Sequence, residues 1–450
     1  MRRALPILCC ALLLFAAACG SRVDTSAADN EEVTGATEAT GETTGDGEQA
    51  MVGTQPLPCS DEPAEGGTLP TDTPGVSEDQ IRIGVISDRE NPATPLPTVG
   101  IEESVKAFVE LCNANGGING REIVLEAYDS QLSQMQQVTE AACRADLYAL
   151  VGTGSVLDQQ GVETREGCGL PEVGAYSATS DRGESEDYFQ PVPGNSPTAL
   201  MAGFCKHMAE EFPDAVESAG ILYTDLPAAS NRALQVVDGC EAAAGFDFKV
   251  VEGVAYGNND FSTYVAQMRD EGVKYFTMVS STAETLGVLD EIQKQGLELE
   301  VLDLGAQYYD KTLAASPLAD GAYVAANTVP LNEGDSIPAL ATYLDAMSEI
   351  GAEDMVTTLG VQGFSAALMW ATVVDELGND LTRESLVEGL SGVHEWDAGG
   401  LHMVTDPGAN ALIECFLYLR VTDGDFVREH PDEGFDCNPD NIQESSRAFE

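Results

Sequence analysis

Short apolar runs alternate with stretches of helical periodicity along residues 80–304, and this alternation constrains the fold more than any other feature of the chain. In the first half of this segment the apolar runs are residues 81–86, 123–128, 150–152 and 171–175. The residues between these runs repeat their apolar positions at the spacing of one helix face. Strands and helices in this order form a parallel sheet that is covered on both faces. The sequence therefore predicts an α/β fold with a doubly wound sheet.

The same alternation starts again after residue 190. Its predicted helices are residues 200–212, 232–243, 261–271 and 284–295. Its predicted strands are residues 219–223, 249–255, 275–279 and 300–304. A second series of strands and helices of this length predicts a second doubly wound lobe.

The last third of the chain breaks the alternation. Helices are predicted one after another at residues 337–350, 358–377 and 383–390. A hairpin is predicted after them, with strands at residues 401–404 and 411–421 and a turn at 422–424 that leads into residues 425–427. Successive helices after the second lobe do not continue its alternation of strands and helices. We therefore predict that the chain returns here and completes the first lobe.

The N-terminus has the features of an export signal. Arg2 and Arg3 precede an apolar run at residues 5–15 that is too short to span a bilayer. The sequence Ala-Ala-Ala-Cys-Gly-Ser at residues 16–21 resembles the lipobox of bacterial lipoproteins, in which the cysteine receives the lipid. We therefore predict a signal peptide at residues 1–18 and a lipid on Cys19 that anchors the protein to the outer face of the cytoplasmic membrane. An ordinary secretory signal with a chance cysteine is the alternative.

Residues 19–78 are rich in Thr, Glu, Gly, Asp and Pro and contain few large apolar side chains. A segment of this composition cannot bury enough surface to fold, so it is predicted to be a flexible tether. Cys59 is the exception, because it is expected to pin the end of the tether to the globular part of the chain.

Cysteine usage agrees with export. Of the 11 cysteines, Cys9 and Cys10 lie in the signal peptide and Cys19 is assigned to the lipid. The cysteines that remain are Cys59, Cys112, Cys143, Cys168, Cys205, Cys240, Cys415 and Cys437. An even number in an exported chain predicts that they pair as disulfides, and the residues alone leave the connectivity open. These cysteines form neither a C-x-x-C pair nor a Cys/His cluster, so no metal site is predicted.

Charge excludes several classes of partner. The chain has 21 Lys and Arg residues against 76 Asp and Glu residues, which gives a formal charge of -55. This field repels phosphate backbones and excludes nucleic acid as a partner, and it disfavours docking to anionic lipid through basic residues. We also consider the acidic excess a candidate adaptation to a saline habitat.

The sequence lacks the usual signs of catalysis. Its histidines are His207, His394, His402 and His430. None of them belongs to a nucleophile motif, and no glycine-rich phosphate loop opens a helix. We therefore predict a protein that is not an enzyme and that binds no cofactor.

Three stretches resemble a known family. The first is residues 113–121, Asn-Ala-Asn-Gly-Gly-Ile-Asn-Gly-Arg, which is closed by Tyr128 and Asp129. The other two are residues 259–264, Asn-Asp-Phe-Ser-Thr-Tyr, which continue to residues 272–276, and residues 360–363 with Ala366 and Ala367. Together these stretches make residues 80–430 similar to the branched-chain amino-acid-binding proteins, the type 1 solute-binding receptors of bacterial ABC importers.

The resemblance implies two Rossmann-like, doubly wound lobes joined by a hinge of three crossovers, which is the type 1 periplasmic-binding-protein fold. The crossovers would fall near Pro193, Val329 and Trp396. Lobe 1 would comprise residues 79–193 and 330–395, and lobe 2 residues 194–329 and 396–440. On this architecture the expected disulfides are Cys143–Cys168, Cys205–Cys240, Cys415–Cys437 and Cys59–Cys112.

In open α/β sheets, ligands bind beyond the carboxyl ends of the strands. The candidate ligand-binding residues at the predicted strand ends are Thr153, Ser155, Tyr176 and Ser177 in lobe 1 and Asp225, Ser281, Thr282, Gln307 and Tyr308 in lobe 2. Hydroxyl groups and backbone N–H groups at helix starts suit a carboxylate, an opposed Asp suits an ammonium group, and Tyr offers an apolar wall. Arg89 at the mouth of the cleft could favour a carboxylate. This set predicts an amino-acid-like ligand.

Each candidate also has a purely structural interpretation. Ser155, Ser177 and Ser281 are equally suited to be helix N-caps, although positions that match the first two contact the ligand in the family. Asp225 could cap the helix that follows it. Tyr308, and not Tyr309, is expected to face the cleft on alternation alone.

The chain departs from the family at two cleft loops, residues 88–92 and 226–229. Ligand identity is therefore not carried over from the resemblance, and amino acids, short amides and small carboxylic acids all remain candidates. The resemblance implies a monomer that hands its ligand to ABC permease subunits. The alternative is an extracellular sensor domain that signals to a partner protein.

Overall fold

The computed structural model describes residues 49–64, 66–90, 98–334 and 336–449. The predicted signal peptide, Cys19 and residues 20–48 of the predicted tether lie outside the described residues. Within the described ranges, no helix has the length and the apolar character needed to cross a membrane.

The first part of the described chain alternates between strands and helices, as the apolar pattern predicts. Its strands are β1 (Met51–Val52), β2 (Gln55–Pro56), β3 (Gln80–Ser87), β4 (Glu122–Asp129), β5 (Ala149–Thr153), β6 (Glu172–Gly174) and β7 (Tyr188–Phe189). Its helices are α1 (Val99–Ala114), α2 (Met135–Arg144), α3 (Val162–Gly167) and α4 (Ser180–Gly183). Strands β3 to β7 form a parallel sheet in the order β4-β3-β5-β6-β7, which is a doubly wound topology.

The second part repeats the arrangement. Its strands are β8 (Ala199–Met201), β9 (Ala219–Thr224), β10 (Phe248–Val254), β11 (Tyr275–Val279), β12 (Val301–Leu304) and β13 (Tyr323–Ala326). Its helices are α5 (Gly203–Glu211), α6 (Pro213–Val216), α7 (Pro227–Ala244), α8 (Ser262–Asp270), α9 (Thr282–Gln295) and α10 (Lys311–Ala314). Strands β9 to β13 are parallel, in the order β10-β9-β11-β12-β13.

The last part contributes to both lobes. Its elements are helices α11 (Pro338–Glu349), α12 (Thr358–Leu377) and α13 (Arg383–Ser391) and strands β14 (Cys415–Thr422), β15 (Asp425–His430), β16 (Asp436–Cys437) and β17 (Ile442–Glu444). The three helices pack into the hydrophobic core around β3 and α1. The hairpin of β14 and β15 extends the second sheet in antiparallel fashion beside β13. The chain therefore passes three times between two doubly wound lobes, which confirms the predicted fold class.

Residues 49–57 differ from the prediction of a flexible tether. Val52 and Leu57 are buried in the core of the first lobe, and β1 lies against α11. These two apolar side chains are buried within a polar segment, and the disulfide at the neighbouring Cys59 fixes the segment to α1.

The structure corrects three further predictions. Residues 199–201 form β8 rather than the start of a helix, because they pair with β17. Residues 401–404 form no strand. Trp396 and Leu401, which the sequence assigns to lobe 2, pack in the core of the first lobe.

The described residues form four disulfides, Cys59–Cys112, Cys143–Cys168, Cys205–Cys240 and Cys415–Cys437. These are the pairs that the family architecture implies. One joins α2 to the residue that follows α3, one joins α5 to α7, one joins β14 to β16, and one ties the N-terminal segment to α1.

Candidate functional site

A cavity of ≈ 260 Å³ lies where the carboxyl ends of the two parallel sheets face each other. The first lobe lines it with residues that follow β6, and the second lobe with residues that follow β9, β11 and β12. Small and apolar side chains form most of its wall. This is the position at which open α/β sheets bind ligands.

Four of the predicted site residues line this cavity: Tyr176, Ser177, Ser281 and Gln307. The Ser177 hydroxyl donates to Gln190 Oε1 at 2.9 Å, and Gln190 also lines the cavity. The Ser281 hydroxyl accepts from the backbone N–H of Glu284 and so caps α9. Both serines thus combine the structural role with a position in the cavity wall.

The remaining predicted residues of lobe 1, Ser155, Arg89 and Thr153, do not line the cavity, and the first two are engaged by partners of their own. Ser155 is fully buried and donates to Asp88 Oδ1 at 2.9 Å. Arg89 pairs with Glu102, a buried carboxylate on α1. Thr153 is buried at the end of β5 and does not line the cavity. Because Asp88 also accepts from the N–H groups of Leu132 and Val156, this carboxylate organises the loops that follow β3, β4 and β5.

In lobe 2 the predicted residues Asp225, Thr282 and Tyr308 also lie outside the cavity wall. Asp225 is exposed to solvent. Thr282 donates to Asp310 Oδ2. The Tyr308 hydroxyl is fully buried, where it accepts from Thr285 at 2.8 Å and from the backbone N–H of Ser280 at 2.9 Å. Tyr308 therefore holds the loop after β11 in place and does not face the cleft.

Arg232 was not among the predicted site residues, yet among the described residues it is the one arginine that lines the cavity. Its guanidinium donates to Gln235 Oε1 at 3.0 Å, and no carboxylate of the described residues forms an ion pair with it. Burial lowers the pKa of this guanidinium, and the Tyr176 phenol of the opposite lobe partly offsets that effect. A partly buried cation without a counterion is costly, so an anionic ligand group would be favoured there.

The signal that could have revealed Arg232 is the start of its helix. Pro227 occupies the first turn of α7, where proline is favoured, so the helix starts directly after the end of β9. A start at Pro227 places Arg232 in the second turn, next to the strand ends. The sequence prediction began this helix at residue 232 and so treated the arginine as a helix terminus.

A carboxylate also lies in the wall, but its acceptor sites are occupied. Glu284 Oε2 accepts from the Thr224 hydroxyl at 2.8 Å and from the Ser280 hydroxyl at 2.5 Å. Its Oε1 accepts from the backbone N–H of Gly257 at 2.8 Å. Glu284 thus ties α9 to β9 and to the loop after β10. Apart from Glu284 and a second buried carboxyl group, Asp303, the described wall offers a ligand one guanidinium and several neutral polar groups.

Comparison with known proteins places this geometry in a family. A family model described as "Periplasmic binding protein" matches residues 80–425, which is most of the chain. The chain belongs to the periplasmic binding protein family. Its relatives include the Leu/Ile/Val-binding protein homolog 2 of Brucella abortus, which is 22% identical over 294 residues, or 62% of this chain and 78% of the relative.

Solved structures share the type 1 periplasmic-binding-protein fold. A fatty acid ABC transporter substrate-binding protein from Thermomonospora curvata has a TM-score of 0.69 at 16% identity, over 83% of this chain and 97% of the other. A solute-binding protein from R. palustris in complex with 4-hydroxybenzoate has a TM-score of 0.66 at 15% identity, over 80% and 98%. A branched-chain amino acid ABC transporter protein from Thermus thermophilus with bound valine has a TM-score of 0.65 at 14% identity, over 81% and 98%.

Proposed function

We propose that this periplasmic binding protein is the exported, lipid-anchored receptor of an ABC importer and that it closes its two lobes on a small carboxylate. The observation that carries the proposal is that the Arg232 guanidinium, which has no ion-pair partner among the described residues, lines the interlobe cavity together with Tyr176 of the other lobe. Ligand contacts that exist only when both lobes are engaged shift the population toward the closed form.

The ligands named for the similar structures agree with the proposal that the Arg232 guanidinium binds a carboxylate. Valine, 4-hydroxybenzoate and fatty acids differ in size and in apolar shape, yet each carries a carboxylate. An amino acid is the less favoured member of this set for the present cleft. Asp225, the expected partner of an ammonium group, is exposed outside the cavity, and the Glu284 carboxylate already accepts from three donors.

The binding proposal is tested by thermal-shift measurements and calorimetry on residues 20–450 with leucine, 4-hydroxybenzoate and octanoate. At least one of these acids is expected to bind, and Arg232→Met is expected to weaken that binding by tenfold or more. Asp225→Asn is the control, because this exposed carboxylate lies outside the cavity, and it should bind as the unchanged protein does. Equal binding by Arg232→Met would remove the proposed site.

The lipid anchor is tested separately. In membranes of the producing bacterium, the protein with Cys19 is expected to partition into the detergent phase, because several acyl chains on one cysteine anchor without basic residues. Cys19→Ala should partition into the aqueous phase. Detergent partition that does not depend on Cys19 would contradict the anchor and leave the binding proposal intact.

A further inference from the structure

The cavity extends beyond the cleft into the interior of the second lobe. Tyr275, Thr277 and Val279 of β11 all line it, and alternate residues of a strand face the same side of a sheet. The side they face is the one covered by α5 and α7, which contribute Phe204 and Val236. At about 3.3 Å per residue, the segment from Val279 to Tyr275 is about 13 Å long. The cavity thus follows β11 beneath these helices.

Small side chains keep this extension open. β11 lies between β9 and β12 and is an inner strand, whose residues are normally covered completely by the packed helices. Thr277 of β11 and Ala325 of β13 nevertheless stay partly accessible, although both lie within their strands and face the helices. Protein interiors are close-packed, so an opening of this kind in a lobe core indicates a space that a ligand fills.

The wall of the extension contains one buried carboxyl group, that of Asp303. Asp303 of β12 pairs with Thr277, is 3 % exposed and lines the cavity. Its Oδ2 accepts from the hydroxyls of Tyr275 and Tyr418, whereas Oδ1 has no hydrogen-bond partner among the described residues. A buried carboxyl oxygen without a partner is costly, so a donor from a ligand would be favoured at this point.

We propose that the natural ligand is an elongated carboxylate with two polar ends, whose carboxylate binds Arg232 at the cleft and whose distal hydroxyl donates to Asp303 inside the second lobe. This inference rests on the proposed function and specifies its ligand class. The apolar middle of the ligand lies along Thr277 and Val279 of β11, beneath Phe204 and Val236. The cavity volume of ≈ 260 Å³ equals about nine water volumes, which suits a molecule of roughly ten non-hydrogen atoms.

The test is a calorimetric series on the unchanged protein. Terminal hydroxy acids of four to ten carbons are compared with the plain fatty acids of the same lengths and with leucine. We expect an optimum at an intermediate length and, at that length, at least tenfold tighter binding of the hydroxy acid than of the fatty acid. Affinity that does not depend on length, or equal affinity for both acids at every length, would overturn the proposal.

A variant pair locates the chain of the ligand. Ala325→Leu fills the extension and is expected to weaken the best long acid by tenfold or more, while the shortest acid is affected less than twofold. Ala242→Leu is the matched control, since Ala242 is an exposed residue of α7. If Ala325→Leu does not fold, Thr277→Leu serves the same purpose. Unchanged binding of the long acid to a folded variant would contradict the inference.

The outcomes separate this inference from the proposed function. If leucine or another short acid binds best and Arg232→Met abolishes that binding, the receptor assignment stands and the extended ligand is wrong. If none of the acids binds, both fail.

Discussion

At the scale of single residues, the cavity combines a cation and a carboxyl oxygen for which the described part of the chain supplies neither a counterion nor a donor. The Arg232 guanidinium bonds within its own helix, unlike Glu284 and Asp88, which hold separate elements together. Asp303 binds the hydroxyls of Tyr275 and Tyr418 through Oδ2, but its buried Oδ1 is left without a partner among the described residues, which is costly. Groups that destabilise a fold and line its cavity are typical of ligand sites, where stability is given up for binding.

Arg232→Met therefore separates stability from function. Without ligand, the variant is expected to be as stable as the unchanged protein or more stable by about 1 kcal/mol, because a partly buried charge is replaced by an apolar side chain. Urea unfolding of both proteins measures this difference. Arg144→Met, at an exposed helix position, should leave stability within about 0.5 kcal/mol. A large loss of stability in Arg232→Met would show that the arginine is structural.

Asp303 makes stability depend on pH. Burial raises its pKa to about 7 in the folded protein, whereas the ordinary value is 3.8. The folded state therefore holds a proton that the unfolded state has lost, and stability falls as the pH rises from about 4 to about 7.

In Asp303→Asn this dependence of stability on pH disappears. The free energy of unfolding of the variant, relative to that of the unchanged protein, should therefore rise by a few kcal/mol from pH 5 to pH 8. Urea unfolding at the two pH values checks the sign. The pKa of Asp158 is also raised to about 7 by burial, but this residue is present in both proteins and cancels from the difference. A difference between the proteins that does not change with pH would contradict the prediction.

The sequence predicted only some of the residues that line the cavity. Several of the other predicted residues are engaged by hydrogen bonds outside the cavity wall. Tyr176, Ser177, Ser281 and Gln307 follow strand ends, and strand order alone brings them to the cavity. Ser155, Thr282 and Tyr308 also follow strand ends, but each hydroxyl is engaged by a group distant along the chain or in a neighbouring loop. A single sequence does not show those partners.

At the scale of elements, the motif at residues 360–363 is explained by the contact of α12 with α1. A Cβ atom on Gly360 would lie 2.6 Å from Ser104 Oγ and 2.7 Å from Tyr343 Oη. These two hydroxyls are hydrogen-bonded to each other at 3.0 Å. A Cβ atom on Gly363 would lie 3.0 Å from the carbonyl oxygen of Ile101. The glycines thus allow two buried helices to approach closely.

Gly360→Ala is expected to lower the free energy of unfolding by about 1–3 kcal/mol, because the added methyl group overlaps the buried hydroxyl pair. Gly167→Ala is the matched control. No atom of the described residues lies within 4 Å of a Cβ atom at Gly167, which ends α3, so this change should be neutral or slightly stabilising. Thermal and urea unfolding measure both variants, and equal stabilities would contradict the close-contact explanation.

The motif at residues 113–121 has a similar explanation. Asn113 exchanges hydrogen bonds with the backbone of Ile123, and the N–H of Ser60 donates to the Gly117 carbonyl. The turn thus connects α1 to β4 and receives the N-terminal segment. Periodicity predicted the strands and helices well, since each buries its own apolar face. It did not predict β1, β8 and β17, which are short and depend on pairing partners far along the chain.

At the scale of the whole molecule, the formal charge of -55 opposes folding through self-repulsion. We expect the free energy of unfolding near neutral pH to rise between about 0.1 M and about 1 M NaCl, because the screening length falls from about 10 Å to about 3 Å. Urea unfolding across this range measures the effect. At about pH 4 the pH approaches the unperturbed pKa values of Asp and Glu. Many carboxyl groups then become protonated and lose their charge, so the salt effect should shrink there. Stability that does not respond to salt at either pH would contradict the repulsion.

The central claim is that two lobes close on an acid held between them at Arg232. Small-angle X-ray scattering of residues 20–450, without and with a saturating concentration of the tightest-binding acid, tests it most directly. The account predicts a smaller radius of gyration with the acid, and no change for Arg232→Met under the same conditions. Saturation by calorimetry with an unchanged radius of gyration would contradict it.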